Sequence, residues 1–136
     1  MIDTKLAPYA ILALRAVTGA LFLYHGLVKL FVFTPAGTAG YFASIGLPGA
    51  LGYLTMLFEI LGGIALILGV LPRLVSLAGV PVLVGAAIFG HGANGFGWSN
   101  AGGGVEYPLM WAAVQGILAL LGSGAYALYP SLKRSA

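Results

Sequence analysis

The sequence predicts an all-α integral membrane protein, a four-helix bundle with a short amphipathic helix on the outer side between helices one and two. Hydrophobic residues make up 60% of the 136 residues and charged residues only 7%, whereas about a quarter of a typical soluble domain is charged. Four apolar segments are long enough to cross a bilayer, which takes about 20 helical residues. Because so few charges cannot cover a water-exposed surface, we interpret residues 1–136 as one transmembrane domain.

Short connections separate the four predicted spans. The spans cover residues 7–33, 51–71, 73–93 and 107–128. Their length and lack of alternating polarity favour helices over barrel strands, because backbone polar groups must be paired in hydrocarbon. The connection between the second and third spans is too short for anything but a tight turn, so these helices should be antiparallel neighbours. Arg15 interrupts the first apolar run, so we expect a retained span rather than a cleaved signal peptide.

The basic residues predict the orientation of the chain. Lys5 precedes the first helix, Arg73 lies between the second and third, and the pair Lys133 and Arg134 follows the fourth. The first and third connections contain no basic residue. Because Lys and Arg are enriched in cytoplasmic connections, both termini are expected on the cytoplasmic side. The charges form no contiguous patch, which argues against a nucleic-acid partner.

The first connection carries its own signals for a short helix. Thr34 can cap the helix, Pro35 suits its first position, Gly46 suits a left-handed end and Pro48 prevents continuation. Three apolar side chains share one face of this segment: Tyr41, Phe42 and Ile45. Such a helix is expected to lie on the outer surface or to dip into the mouth of the bundle.

The third connection is rich in glycine and presents two aromatic residues, Phe96 and Trp98. One interpretation is a flexible loop whose aromatic side chains anchor at the membrane interface, where Trp is common. The other is a lid over a pocket. The sequence leaves both open.

Small residues in helices two and three predict close packing. Within a bilayer, helices associate where small side chains let the backbones approach. The residues concerned are Gly62, Gly63, Gly69, Gly79, Gly85, Ala86 and Gly90. Pro81 is expected to kink helix three and to free a carbonyl one turn earlier.

Polar residues in helix one follow a helical period. Five residues at alternating spacings of three and four share one side of the helix: Arg15, Thr18, Phe22, His25 and Lys29. Lipid exposure of an ionisable group is costly, so such groups face the protein interior or a water-filled cavity. This stripe is therefore the predicted buried face, and Tyr24 lies beside it.

Helix geometry brings further polar residues close to His25. With a rise of about 1.5 Å per residue, His25 lies about 10 Å and Glu59 about 12 Å below the outer boundary. Five ionisable residues from four helices are thus predicted to converge in the outer half of the bundle: His25, Lys29, Glu59, His91 and Glu106. Thr55 lies at the depth of Lys29, and three residues of helix four can line the same space: Tyr107, Trp111 and Gln115.

Structural explanations remain open for several of these residues. Glu59 with Lys29 or His25 can be a buried pair that fixes helix register. His91 and Glu106 can be solvated residues at the edge of a loop. Arg15 can reach up to the cluster or extend the other way to the lipid headgroups.

The functional interpretation of the cluster is quinone binding. Titratable groups gathered in a low-dielectric site perturb one another and mark functional sites. A quinone head group needs a donor to each carbonyl and protons on reduction, which His, Lys and Glu beside Tyr and Trp supply. No i, i+4 pair of ligands is present, so no metal site is predicted, and no nucleotide-binding, hydrolase or haem motif occurs. The chain has no cysteine, and we assign no catalytic residue.

Four stretches of the sequence together resemble the DoxX family of small bacterial membrane proteins: LFLYHGLVKLF, GTAGYFASIGLPG, FEILGGIALILGVLPRL and EYPLMWAA. The matching positions are His25, Gly26, Lys29, Leu30, Glu59, Gly62, Gly63 and Arg73. The resemblance implies a four-helix protein of the bacterial inner membrane, related to the small subunit of a thiosulfate:quinone oxidoreductase and to redox or oxidative-stress assemblies. Without cysteine, this chain is not expected to oxidise thiosulfate.

Three functions fit these observations. The first is a membrane subunit of a quinone-linked oxidoreductase, in which His25, Lys29 and Glu59, with Arg15 in one arrangement, bind the quinone. The second is a non-enzymatic scaffold that holds redox or other membrane proteins. The third is a small transporter built as a homo-oligomer, because the interior of one four-helix bundle is too narrow for a pore.

Overall fold

The computed structural model describes residues 1–130, and within this range the chain is helical apart from turns and connections. Its five α-helices are α1 (Ala7–Phe31), α2 (Pro35–Ser44), α3 (Gly49–Leu68), α4 (Pro72–Gly85) and α5 (Glu106–Leu121). The predicted all-α fold, with a short helix between the first two long ones, is confirmed. Lys133 and Arg134, which entered the prediction of orientation, lie outside the described residues.

Three stretches of helix are long and apolar enough to cross a membrane. They are Ala7–Phe31, Gly49–Leu68 and Pro72–Gly90, the last including a π-helical turn that continues α4. The fourth apolar helix, α5, has 16 residues and is therefore about 24 Å long, shorter than the hydrocarbon core of about 30 Å. The sequence placed its end near residue 128, but Gly122 takes a φ of 109° and ends the helix at Leu121.

The connection before α2 is built as its residues predict. The Thr34 side chain accepts a hydrogen bond from the backbone N–H of Gly37 at 3.1 Å, and Pro35 is the first helical residue. Gly46 has a φ of 84°, a left-handed conformation that glycine adopts without a steric penalty. Pro48 then directly precedes α3. These residues set the two ends of α2, and the helix packs mainly on α3 at this end of the bundle.

Glycine lets the backbones of α1 and α3 approach closely, and these two helices form the most extensive helix contact among the described residues. A Cβ added to Gly63 would lie 2.6 Å from the carbonyl oxygen of Gly19 and 2.6 Å from the backbone nitrogen of Leu23. Gly26 similarly lies against the backbone of Ile60. This contact fixes the axial register of α1 relative to α3, as expected where small residues face each other between membrane helices.

Gly63→Ala is expected to destabilise the protein by about 1–3 kcal/mol, the usual cost of overpacking. The obstructing atoms belong to the backbone of α1, so the helices must separate to admit the methyl group. The measurement is the thermal unfolding midpoint in detergent micelles. Gly116→Ala is the matched control, since its nearest atom would be Val80 Cγ2 at 4.0 Å. Equal midpoints for the two variants would contradict the close α1–α3 contact.

The second helix pair is formed by α4 and α5, which also pack closely. Pro81 lies inside α4, and the helix widens into a π-helical turn over Ala86–Gly90. Such turns are rare and are frequent at functional sites. Here the turn brings Phe89, Gly90 and the following His91 to the end of the bundle that carries α2.

The chain after α5 closes the opposite end of the bundle. The backbone N–H of Ala125 donates to the carbonyl of Pro8 at 2.9 Å, which ties this segment to the start of α1. Tyr129 exchanges hydrogen bonds with the turn between α3 and α4: its carbonyl accepts from Leu71 at 2.8 Å and its N–H donates to Gly69 at 3.0 Å. A tightly packed core lies above this closure: Ile11, Phe22, Leu66, Leu83, Ala112 and Leu118. The space near α2 is less tightly filled.

Candidate functional site

A cavity of about 410 Å³ lies between the α1–α3 pair and the α4–α5 pair, at the end of the bundle covered by α2. All four long helices and α2 contribute to its lining. The volume falls within the usual range of small-molecule sites, about 300–1,000 Å³. Tyr41 and Phe42 of α2, and Ile45 directly after it, all line the cavity, so this helix dips into the mouth of the bundle.

An ion pair between Lys29 and Glu59 forms one polar wall of the cavity. Lys29 Nζ lies 2.8 Å from Glu59 Oε2 and 3.1 Å from Oε1, so the ammonium group bridges both carboxylate oxygens. Glu59 is only 7% exposed. The predicted pairing of α1 with α3 through these residues is thus observed. Both residues also line the cavity, so they are placed to contact a ligand as well as each other.

His25 lies one helical turn below Lys29 and also faces the cavity. Its ring packs against Trp111, with the centroids 5.3 Å apart. Among the described residues, the imidazole nitrogens have no hydrogen-bond partner. A neutral imidazole carries one donor and one acceptor, so His25 can offer either of them to a ligand.

His91 and Tyr107 form a second polar pair, on the α4–α5 side. His91 Nδ1 lies 2.9 Å from the carbonyl oxygen of Gly103, and its Nε2 lies 2.9 Å from the hydroxyl of Tyr107. A carbonyl oxygen only accepts, so Nδ1 carries the proton and, in the neutral ring, Nε2 accepts from the Tyr107 hydroxyl. The pair lines the cavity and is oriented by the loop that precedes α5.

Aromatic and aliphatic side chains fill the space between these polar groups. Trp111 stands at the base of the cavity, where it packs on the fully buried Phe22 with ring centroids 4.7 Å apart. Its indole Nε1 is buried and has no hydrogen-bond partner among residues 1–130. Phe42 and Phe89 contribute further aromatic rings. Flat ring surfaces beside hydrogen-bond donors suit a planar ligand that carries polar oxygens.

Arg15 belongs to the opposite end of the bundle. It is fully buried, and its Nη2 donates to the carbonyl oxygen of Ala125 at 2.8 Å. It therefore neither joins the cluster nor extends to the headgroups, the two alternatives that the sequence left open. The segment after α5 folds back over the start of α1 and supplies the carbonyl that Arg15 contacts.

Gln115 is buried in the bundle but is absent from the cavity lining. It lies one helical turn below Trp111, close to Gly79 of α4. Neither of its amide atoms has a hydrogen-bond partner within residues 1–130. The prediction that it lines the site fails because Trp111 occupies the base of the cavity above it.

Tyr24 and Glu106 also lie outside the cavity. Tyr24 is 64% exposed on the outer surface of α1, and its ring contacts only the edge of the site at His25. Glu106 accepts a hydrogen bond from the backbone N–H of Trp98 at 3.0 Å, which holds the third connection. The alternative of a loop-edge residue therefore describes Glu106, whereas His91 lies in the site.

The third connection does not cover the cavity. Phe96 and Trp98 are 67% and 70% exposed, and neither is part of the lining. Backbone hydrogen bonds order the loop, including Val105 to Gly95 at 2.9 Å. The arrangement fits aromatic anchors at the edge of the bundle better than a lid.

Several lining residues carry no polar signal and were not identified from the sequence. They are Leu47, Leu51, Pro81, Val82, Leu83, Gly85, Ala86, Phe89, Gly90 and Pro108. Pro81 and the paired small residues Gly85 and Ala86 were interpreted only as a kink and as packing positions. A proline inside a helix indicates a departure from regular geometry, but it does not indicate that these residues line a cavity.

Comparison with known proteins decides the family. The family model named DoxX matches residues 10–92, which is more than half of the chain. The chain belongs to the DoxX family. The matched stretch runs from α1 through the π-helical turn and includes His25, Lys29, Glu59 and His91. As a DoxX protein with three apolar helices of spanning length, it is a membrane protein.

One curated relative of this DoxX protein comes from Bacillus subtilis (strain 168) and is named "Putative oxidoreductase CatD". The two sequences are 38% identical over 77 residues, which is 57% of this chain and 56% of that protein. The match therefore spans little more than half of the relative. No solved structure matches the chain significantly.

Proposed function

We propose that this DoxX protein is the quinone-binding membrane subunit of an oxidoreductase, with the quinone head group in the cavity beneath α2. The observation that carries the proposal is the free imidazole of His25, which faces the same cavity as the His91–Tyr107 pair. Because His25 comes from the α1–α3 pair and His91 from the α4–α5 pair, hydrogen-bonding groups flank the cavity. A quinone has carbonyl oxygens at opposite ends of its ring and can be held from both sides.

The chemistry of the lining fits each part of a quinone head group. His25 donates to one carbonyl oxygen. The Tyr107 hydroxyl, which otherwise donates to His91 Nε2, turns its proton to the other carbonyl when the ligand is bound. Trp111 and Phe89 offer flat surfaces to the ring. Lys29 and Glu59 place a positive and a negative charge beside the ligand. In the low-dielectric interior, these charges interact strongly with a proton that is added to the ligand.

Reduction of a quinone consumes two electrons and two protons, and both carbonyl oxygens become hydroxyls. In this proposal the polar groups of the cavity transfer the two protons to the carbonyl oxygens of the quinone. The electrons come from a redox-active partner protein, since this chain has no cysteine for a thiol relay. The name of the Bacillus relative, an oxidoreductase, is consistent with membership of such a complex.

The proposed location is the bacterial inner membrane, with both termini in the cytoplasm and the cavity in the outer half of the bilayer. The basic residues Lys5 and Arg73 support this orientation, because they lie at the end of the bundle opposite α2. The quinone pool of the bilayer would then reach the cavity from within the membrane.

Quenching of tryptophan fluorescence tests the proposal, because the chain has only two tryptophans. Trp111 lines the cavity, whereas Trp98 is exposed on the third connection. In nanodiscs, the Trp98→Phe variant should show saturable quenching by short-chain benzoquinone or naphthoquinone analogues. The Trp111→Phe variant is the control and should show only weak quenching that rises linearly with concentration. If the two variants behave alike, the cavity does not bind quinone.

A further inference from the structure

We propose that the ligand of the cavity carries a hydrocarbon chain, and that this chain lies in a groove between α1 and α5. The inference rests on the proposed quinone site and specifies its ligand further: an amphiphile with a polar ring and an isoprenoid or alkyl tail. The groove is a separate depression of about 360 Å³. It is lined by Leu14, Val17, Thr18, Leu21, Tyr107, Met110, Trp111 and Val114.

The groove adjoins the cavity at two shared residues. Tyr107 and Trp111 line both spaces, so the side chains of these two residues stand between the cavity and the groove. On α1 the groove extends from Leu21 down to Leu14, which is about 10 Å along the helix axis. It therefore runs from the level of the cavity floor past the middle of α1.

The chemistry of the groove changes sharply from that of the cavity. Its lower part contains only aliphatic side chains, methionine and one hydroxyl, that of Thr18. That hydroxyl donates to the carbonyl of Leu14 at 2.8 Å, so its proton is already used within α1. A ligand group in this part of the groove gains hydrophobic contacts and loses any hydrogen bond that it made to water. A hydrocarbon chain satisfies this condition.

The groove also opens sideways, out of the bundle. Val17, Leu21 and Met110 are 60%, 44% and 65% exposed on its rim, and α1 and α5 have few contacts with each other. In a membrane this side faces lipid. A chain attached to a head group in the cavity thus has an apolar path into the bilayer that no charged residue interrupts.

The proposed occupant is the chain of the bound amphiphile and not an unrelated lipid, because the groove shares Tyr107 and Trp111 with the polar site. Lipid tails alone would fill any apolar surface of the protein equally. If the tail of the ligand occupies the groove, a larger side chain that fills the groove must weaken the binding of tailed ligands. The same side chain must leave the binding of tail-less ligands unaffected.

The test compares a tail-less benzoquinone with the same head group carrying a decyl chain. Binding to nanodiscs is followed by Trp111 fluorescence in the Trp98→Phe background. Val17→Phe and Val114→Phe fill the groove from either side. Leu61→Phe is the matched control, since Leu61 is 63% exposed on α3, away from the groove. The variants are compared with their parent for each ligand, because a tail also raises partition into the lipid.

Both groove variants should bind the decyl compound at least tenfold more weakly than the parent while binding the tail-less compound equally well. Leu61→Phe should match the parent for both ligands. Normal binding of the tail-less compound also shows that a variant is folded. If decyl binding survives in both groove variants, the tail lies elsewhere, and the head-group site still stands. If the parent binds neither compound, the quinone site itself is wrong and the groove proposal falls with it.

Discussion

Replacing Glu59 with leucine is expected to lower the stability of the protein by about 3–5 kcal/mol, the usual effect of removing one partner from a buried ion pair. Glu59 contacts the Lys29 ammonium through both oxygens, and its side chain is 9% exposed. Without the carboxylate, the ammonium group stays in the bundle with no counter-charge. The thermal unfolding midpoint in detergent micelles should fall by many degrees. Glu106→Leu, which alters a carboxylate outside the cavity, should have a much smaller effect.

The double variant Lys29→Met/Glu59→Leu separates the structural role of the pair from its role in binding. Two apolar side chains of similar size often replace a buried ion pair without loss of stability. The double variant should therefore recover most of the midpoint that Glu59→Leu loses. Its saturable quinone binding should nevertheless be lost, because the polar wall of the cavity has gone. A stable double variant that binds quinone like the parent would show that the pair only fixes the register of α1 and α3.

The depth of Glu59 beside the polar stripe of α1 could be predicted from the sequence because it depends on regular helix geometry, whereas the choice between Lys29 and His25 as its partner stayed open. The spacing of His25 and Lys29 puts both on the inner face of α1. Counting the rise per residue from the ends of two helices then brings Glu59 to a similar depth. Both steps rely on straight helices, and α1 and α3 are regular and closely packed through Gly19 and Gly63.

Helix geometry did not predict the hydrogen-bond partner of Arg15. Its position on the buried face was predictable, but its partner was not. The carbonyl of Ala125 reaches Arg15 only because the chain turns at Gly122 and returns to Pro8 through a backbone hydrogen bond. A contact between residues so far apart in sequence follows from the tertiary path of an irregular segment, which has no period to count.

The same limit applies to the α4–α5 side of the cavity. His91 was expected near the outer end of helix three, but its pairing with Tyr107 depends on the π-helical turn and on Gly103 in the following loop. Neither has a strong signature in the sequence. Gln115 followed the helical period of α5 correctly and still missed the cavity, because the bulk of Trp111 sets the floor. Which buried residues are accessible is decided by packing as well as by helix face.

His25 should be the most sensitive single position for quinone binding. In the Trp98→Phe background, His25→Phe is expected to weaken binding of the tail-less benzoquinone at least tenfold, or about 1.4 kcal/mol. The phenyl ring keeps the ring contact with Trp111 but has no hydrogen-bonding atom, so one carbonyl of the ligand loses its partner. Because His25 has no hydrogen-bond partner among the described residues, the substitution breaks none, and the unfolding midpoint should stay close to that of the parent.

Two further substitutions separate a hydrogen bond from a change of shape at this position. His25→Gln restores a donor and should recover part of the lost affinity, whereas a role in packing alone predicts that the glutamine variant is as poor as the phenylalanine variant. Tyr24→Phe alters the neighbouring residue on the outer surface of α1, outside the cavity, and should bind as the parent does. Unchanged affinity in His25→Phe would remove His25 from the site and, with it, the observation on which quinone binding rests.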